Sequence, residues 1–147
     1  MSTIRQQIMD AIQTRFEGIT LINGYQTDIG LNVSQWKATA LNADDFPALE
    51  YRDVSCDRMD GGPIGFFRWA ATIDTEIVTA SGATTMTEVR EMLSDIYKAI
   101  GLDESWNNLA QWTEQPSDVV IMEQQDKIIG GAKITFRIVY DAVKWTQ

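Results

Sequence analysis

The feature that most constrains the fold is an alternating run of 14 residues, Phe66–Thr79. One set of alternate positions is apolar or small, namely Phe67, Trp69, Ala71, Ile73, Thr75 and Ile77. The positions between them are mostly polar, namely Arg68, Thr72, Asp74 and Glu76. Because the side chains of a β-strand point alternately to opposite faces, the run predicts a long strand with one face in the core.

A second strand-like segment, residues 48–58, precedes this run, and Asp60, Gly61, Gly62 and Pro63 lie between the two. These four residue types favour a turn, so the two segments predict an antiparallel β-hairpin. A continuous strand over the 14-residue run spans roughly 46 Å. A compact domain of this length is roughly 38 Å across. We therefore expect the hairpin to bend or project, leaving strand edges for a neighbouring subunit to cover.

The beginning of the chain has the 3.6-residue apolar period of an amphipathic helix. Its apolar positions are Ile4, Ile8, Ala11, Ile12, Phe16 and Ile19. Thr3 and Gln6 have the spacing of a capping box, and Gly18 is a suitable residue for the end of the helix. These signals predict a helix that packs its apolar stripe against the sheet.

A second helix is indicated after the long strand. Its apolar positions are Val89, Met92, Leu93, Ile96 and Ile100. Thr85 and Glu88 also have capping-box spacing, which predicts that Thr85 caps the first turn, and Gly101 follows the last apolar position. This helix is expected to pack beside the first one.

The chain closes with a second predicted hairpin, formed by residues 119–124 and 132–143 with a turn at Gln125 and Asp126. A short strand is expected at residues 33–37. Residues 102–117 fit either a short helix or a packed loop.

The order of these elements lacks the regular alternation of strands and helices that builds a parallel sheet. It predicts an α+β fold, a mostly antiparallel β-sheet with two main helices packed on one face and a long β-hairpin. A length of 147 residues suits one domain with one core, so residues 1–147 are expected to form a single unit.

Composition excludes several classes of function. The chain carries 21 acidic and 12 basic residues, a net charge of −9, which disfavours general attraction to nucleic acid phosphates. It contains no histidine, so catalytic triads that use histidine and most zinc sites are impossible. The single Cys56 suits a reducing compartment. No membrane span or secretory signal is expected, which predicts a protein that stays in the cytoplasm where it is made.

Three motifs in the sequence partly resemble metal-binding, phosphate-binding or catalytic sites. Asp57 and Asp60 precede two glycines, but the alternating acidic residues and the closing glutamate of a calcium loop are missing. The glycines at 61–65 lack the Gly-Lys-Ser/Thr ending of a phosphate-binding loop. Adjacent carboxylates at 44–45 and 103–104 are more typical of polar loops than of acid–base catalysis. We therefore predict no enzyme activity, no metal and no cofactor.

Five tryptophans are many for this length, and aromatic residues are enriched in protein interfaces. Trp36, Trp106, Trp112 and Trp145 lie outside the strongest core patterns. They fit either caps on the ends of a small core or contacts with a partner, and the segment 106–112 is the favoured contact loop.

Arg68 and Arg137 are expected on the outer faces of the two longest strands. They fit either ion pairs across the sheet with Asp74, Glu76 or Asp141, or contacts with a subunit. The predicted subunit or tail-tube interface comprises Asp60, Gly61, Gly62, Pro63, Arg68, Asp74, Glu76, Trp106, Trp112 and Arg137.

With its elements in this order, the chain resembles the tail terminator, or minor tail, proteins of lambda-like long-tailed phages. The resemblance covers nearly the whole chain. It rests on five segments: IRQQIMDAIQTRF, NGYQTDIGLNVSQWK, DFPALEYRD, TEVREMLSDIYKAIGLDESW and IIGGAKITFRIVYDAVKW. None of them is a catalytic signature, and no family interface residue maps onto a position here.

The resemblance implies a structural virion protein at the head-proximal end of the tail, assembled in the host cytoplasm. Such a protein caps the tail tube as a ring, usually of six subunits, stops tube polymerisation and meets the head–tail connector protein. The expected partners are thus other copies of the chain, the tail tube protein and the connector. The acidic charge suits a channel through which DNA passes without specific binding.

Two alternatives remain open. The first is another head–tail joining or neck component, since these proteins also assemble in rings. The second is a small hydrolase that uses only carboxylates. An enzyme requires a deep pocket with converging carboxylates, whereas an assembly protein requires a flat or strand-edged surface.

Overall fold

A computed structural model describes residues 2–36, 46–124 and 128–146. Its helices are α1 (Ile4–Glu17) and α2 (Thr85–Gly101), and its strands are β1 (Val33–Gln35), β2 (Ala48–Met59), β3 (Phe66–Thr79), β4 (Trp112–Gln124) and β5 (Ile128–Val143). This α+β architecture confirms the predicted fold class.

The five strands form one mixed sheet in the order β1-β2-β3-β5-β4. β1 is parallel to β2, whereas the other neighbouring pairs are antiparallel. β3 pairs with β5 over its full length, from Phe66 opposite Val143 to Thr79 opposite Gly130. The long strand is therefore continuous as predicted, but β2 and β5 flank it. β4 is the last strand at one side of the sheet.

Both helices lie on one face of the sheet, and the core fills the layer between them. Its largest fully buried side chains include Phe16, Tyr51, Ile73, Phe136 and Tyr140. The Tyr51 hydroxyl donates to Gln13 Oε1 of α1 at 2.7 Å, which gives this buried polar group a partner. Gly130 lets α2 approach β5, because a Cβ there would collide with Thr85 Cγ2.

The first helix begins as the sequence indicates. Thr3 Oγ1 accepts the Gln6 amide at 3.1 Å, and Gly18 follows the last helical residue. The predicted capping box of α2 is wrong, because Thr85 is already helical and Glu88 instead accepts hydrogen bonds from Thr79 Oγ1 and Ser81 Oγ. Glu88 therefore ties the end of β3 to α2.

The second hairpin is longer than predicted. β4 begins at Trp112 and β5 at Ile128, so residues 112–117 of the segment left open as a helix or loop are strand. A bulge between Glu114 and Ser117 interrupts the pairing of β4 with β5. This irregularity and Pro116 disrupt the alternating pattern from which a strand is recognised. The predicted turn at Gln125 and Asp126 lies outside the described residues, as does the carboxylate pair at 44–45.

Candidate functional site

The second half of β4 forms an apolar edge of the sheet. Val119, Val120, Ile121 and Met122 expose 61%, 43%, 56% and 45% of their surface. We call these four residues the β4 apolar segment. Because consecutive residues point to opposite faces of a strand, the exposed apolar surface continues around the edge from one face to the other. Within the part of the chain that the structure describes, no strand pairs with the outer side of β4.

The composition of β5 explains this exposure. Ile121 lies opposite Gly131, and Met122 lies opposite Gly130. A glycine has no side chain to cover its cross-strand neighbour, so Ile121 and Met122 gain little contact from the residues opposite them. On the outer face, Ile121, Ile129, Val78 and Gly131 line a shallow groove of about 290 Å³.

Two acidic residues bracket the β4 apolar segment, Asp118 before it and Glu123 after it. Being five positions apart, they point to opposite faces of the strand. The Tyr97 hydroxyl of α2 donates to Asp118 Oδ2 at 2.6 Å. Burial, together with this hydrogen bond to the carboxylate, raises the pKa of Tyr97 above its ordinary value. β4 contains no lysine or arginine, so its edge is acidic as well as apolar.

Most of the charged residues in the predicted interface form ion pairs on the outer face of the sheet. Arg68 donates two hydrogen bonds to Asp141, at 2.8 and 3.0 Å, so one of the predicted cross-sheet pairs is present. Its guanidinium also lies over the Trp112 ring, 5.0 Å from the ring centre. Arg137 lies 3.7 Å from Glu114. Each of these two arginines is thus held by a carboxylate from a neighbouring strand, and Arg68 also by an aromatic ring.

The two predicted acidic residues on β3 have other partners. Asp74 lies 3.2 Å from Lys133 Nζ and accepts the Thr135 hydroxyl at 2.9 Å. Glu76 accepts from Arg52 at 2.6 Å. Because each carboxylate already faces a cation from a neighbouring strand, the structure supports the ion-paired interpretation of this face.

The Gly-Gly-Pro turn lies at the other end of β3. Phe66, which follows the turn, pairs with Val143, whereas the β4 apolar segment lies level with Ile77 and Val78. Asp60, Gly61 and Pro63 are exposed, and Gly62 packs against Arg68. The structure therefore does not bring this turn together with the β4 edge.

The predicted contact role of the Trp106 side chain is wrong. Trp106 is 0% exposed, its ring stacks on Phe136 at a centroid distance of 6.2 Å, and its indole nitrogen donates to Thr113 Oγ1 at 2.9 Å. The Arg15 guanidinium covers the ring at 4.6 Å. Trp106 is a core residue, so it offers no surface to a partner.

The turn that carries Trp106 is held by Asp103. This carboxylate accepts the Ser105 hydroxyl and amide and the Asn107 amide, at 2.5, 2.9 and 2.9 Å. The Ser105 hydroxyl, followed by the two amides, lowers the Asp103 pKa to about 2. The carboxylate at 103 therefore stabilises a turn, which accounts for its presence without acid–base chemistry.

One groove on the molecule is lined by three carboxylates, Asp28, Glu88 and Glu91, and measures about 430 Å³. Asp28 accepts the Leu21 amide at 2.8 Å, and Glu88 accepts from Thr79 and Ser81. Two of the three are thus engaged in holding the fold. Among residues 2–36, 46–124 and 128–146 no group of three or more potential metal ligands converges.

The β4 apolar segment is a candidate binding surface that the sequence analysis does not include. Its signal was present as four consecutive apolar residues between two acids. A strand buried on one face alternates instead. By itself the run predicts only one arm of a hairpin, since exposure on both faces depends on where the strand lies in the sheet.

Comparison of the chain with protein-family models gives no match, and comparison with curated protein sequences gives none either. Among the described helices, none has the length and apolar character needed to cross a membrane.

Proposed function

We propose that this chain is a structural virion-assembly protein that caps a phage tail tube, stops tube polymerisation and forms the tail side of the head–tail junction. In this role it is part of the virion and is assembled in the host cytoplasm. Several copies form a ring, and the family resemblance implies six. DNA passes through the ring without specific binding.

The observation that carries the proposal is the exposed edge of β4. An unpaired strand edge with four exposed apolar side chains is a template for another chain, and soluble proteins normally cover or blunt such edges. An apolar surface of this kind supports a role in assembly. Capping a tube requires a surface that is left open until the tube or connector protein arrives.

The net charge of −9 supports the same proposal. A ring built from copies of an acidic chain repels the phosphates of DNA, which favours passage over binding. The basic side chains Arg52, Arg68, Lys133 and Arg137 are paired with carboxylates on the sheet, so they leave no unpaired basic stripe there.

A second candidate from the same class is another head–tail joining or neck component, because the β4 edge would serve any ring that docks on a neighbour. A carboxylate-dependent hydrolase is less well supported, since two of the three carboxylates in the acidic groove are engaged in structural hydrogen bonds.

Electron microscopy of the protein mixed with tail tubes from its own phage or prophage tests the proposal. We expect ring-shaped density at one end of each tube and no further elongation when tube protein is added. Tubes that stay uncapped and keep growing would contradict the terminator role. Rings that bind only to isolated connectors would support the neck alternative instead.

A further inference from the structure

The β4 edge carries an inference about the chemistry of its partner, and this inference rests on the assembly role proposed above. We propose that β4 takes up, by strand addition, an extended segment of a different protein in which about four apolar residues lie between two basic residues. The apolar residues cover the β4 apolar segment, and the basic residues face Asp118 and Glu123.

Strand addition follows from the free backbone of β4. Its inner side pairs with β5 from Trp112 opposite Val139 to Gln124 opposite Ile128. The outward-pointing amides and carbonyls have no strand partner in the described part of the sheet. An added strand satisfies these groups, and main-chain hydrogen bonds then provide affinity while side chains provide specificity.

The two carboxylates define the charge of the added strand. Asp118 and Glu123 lie five positions apart on opposite faces, so residues directly opposite them in the partner are also five apart. Opposite charges in such cross-strand pairs stabilise a sheet, and like charges destabilise it. Among the described residues of β5, Lys133 lies 3.2 Å from Asp74 and Arg137 lies 3.7 Å from Glu114, so both of these cations already have a carboxylate partner.

The same argument disfavours a second copy of β4 as the occupant. An antiparallel pairing that covers the β4 apolar segment places Val120 opposite Ile121 and therefore Asp118 opposite Glu123 in both halves of the pair. A parallel pairing in register aligns each acid with itself. Since β4 contains no basic residue, both of these self-pairings bring carboxylates together and add to the repulsion between two chains of charge −9.

Three labelled peptides test the proposal against the full-length protein by fluorescence anisotropy. The first, GSKVTIVKSG, has two lysines five positions apart around four apolar or β-branched residues. The second, GSEVTIVESG, reverses both charges. The third, GSKVTPVKSG, keeps the lysines but cannot form a continuous ladder of hydrogen bonds, because proline lacks an amide hydrogen.

We expect the first peptide to bind about tenfold more tightly than either of the others, as two exposed ion pairs and a strand ladder allow. The variant Asp118→Lys with Glu123→Lys should prefer the glutamate peptide. The variant Asp57→Lys with Glu104→Lys changes the net charge equally at exposed positions elsewhere and should keep the wild-type preference. Thermal unfolding of all proteins verifies that each variant is folded.

Equal binding of the two lysine peptides would overturn the proposal, because it would mean charge attraction without strand addition. Absence of binding to all three would also overturn it, as would a wild-type dimer in sedimentation that is lost when Ile121 is changed to Ser. If the protein prefers the lysine peptide but does not cap tubes, the proposal of strand addition at β4 stands and the proposed tail function fails. If the variant Asp118→Lys with Glu123→Lys caps tubes as well as the wild type does, the tail function stands and the proposed role of the β4 edge fails.

Discussion

The turn around Trp106 and the β4 apolar segment lie close together in the sequence but differ in what surrounds them. Trp106 lies between Arg15, Phe136 and Thr113, with no exposed surface. Val119 and Ile121 are more than half exposed on the outer strand β4, and the residue opposite Ile121 is Gly131, which has no side chain to cover it. The first region stabilises the fold, and the second is available for binding. Apolar character alone does not distinguish the two.

The largest expected effect is the loss of stability when the buried Trp106 side chain is removed. Trp106→Ala removes a buried ring and leaves the Thr113 hydroxyl without its donor, so the free energy of unfolding should fall by about 3–5 kcal/mol. The matched control is Trp145→Ala, because Trp145 is 86% exposed. Urea unfolding followed by circular dichroism measures both. A loss below about 1 kcal/mol for Trp106→Ala would contradict the core assignment.

A pair of aspartates sharpens the same comparison. Asp95 of α2 is 1% exposed and accepts the Gln26 and Thr27 amides and the Thr27 hydroxyl. Asp95→Asn leaves at least one of these donors unpaired in the interior, which should lower the free energy of unfolding by about 1–3 kcal/mol. Asp118→Asn, at the exposed edge, should change it by no more than about 0.5 kcal/mol. Equal losses in urea unfolding would mean that the edge contributes to stability as the core does.

The turn around Trp106 should also respond to pH. The pKa of Asp103 is lowered to about 2, so its contribution to stability is fully present above its ordinary pKa of 3.8 and is lost as pH falls from about 4 to 2. Wild type should therefore be more stable than Asp103→Asn at neutral pH, and this difference should shrink across that interval. Since the Asp103 side chain is 38% exposed, the effect should be smaller than that of Asp95→Asn. Thermal melts at a series of pH values measure it, and a difference between the two proteins that does not change with pH would contradict the role of the Asp103 carboxylate.

The smallest expected effect on stability is at the edge itself. Val119→Ser with Ile121→Ser should change the free energy of unfolding by no more than about 0.5 kcal/mol, because both side chains are already exposed in the folded chain. The same pair of changes should weaken binding of GSKVTIVKSG, which would now bury fewer apolar groups. The contrasting variant is Ile134→Ser in the covered part of β5, where a loss of several kcal/mol is expected. If this edge variant binds the peptide as tightly as the wild type does, the peptide does not bind through the β4 apolar segment.

Much of the fold was predictable because local patterns agree with the tertiary structure. Both helical stripes, the strand Phe66–Thr79 and the Thr3 cap of α1 follow from the period of the side chains and from capping chemistry. The predicted capping box of α2 is wrong because Glu88 accepts hydrogen bonds from two hydroxyl groups outside the helix. The start of β4 was missed because the bulge and Pro116 disrupt its alternation.

The candidate site was less predictable than the fold. Arg68, Asp74, Glu76, Trp112 and Arg137 are placed on strands as expected, yet their charged groups form ion pairs within the sheet. Trp106 was misassigned because an irregular turn can be buried when three left-handed residues, from Trp106 to Asn108, fold it back onto the sheet. Sequence position outside a periodic element does not indicate exposure.

The sequence by itself determined the α+β class, the two helices, the long central strand, the net charge of −9 and the absence of histidine chemistry. These properties depend on residue identity and on short-range periodicity. Three properties emerge only in the folded chain: β4 is an outer strand, Gly130 and Gly131 leave Met122 and Ile121 uncovered, and Trp106 is buried. The reason is that exposure depends on which strands become neighbours, and such long-range pairing is not encoded in any one segment.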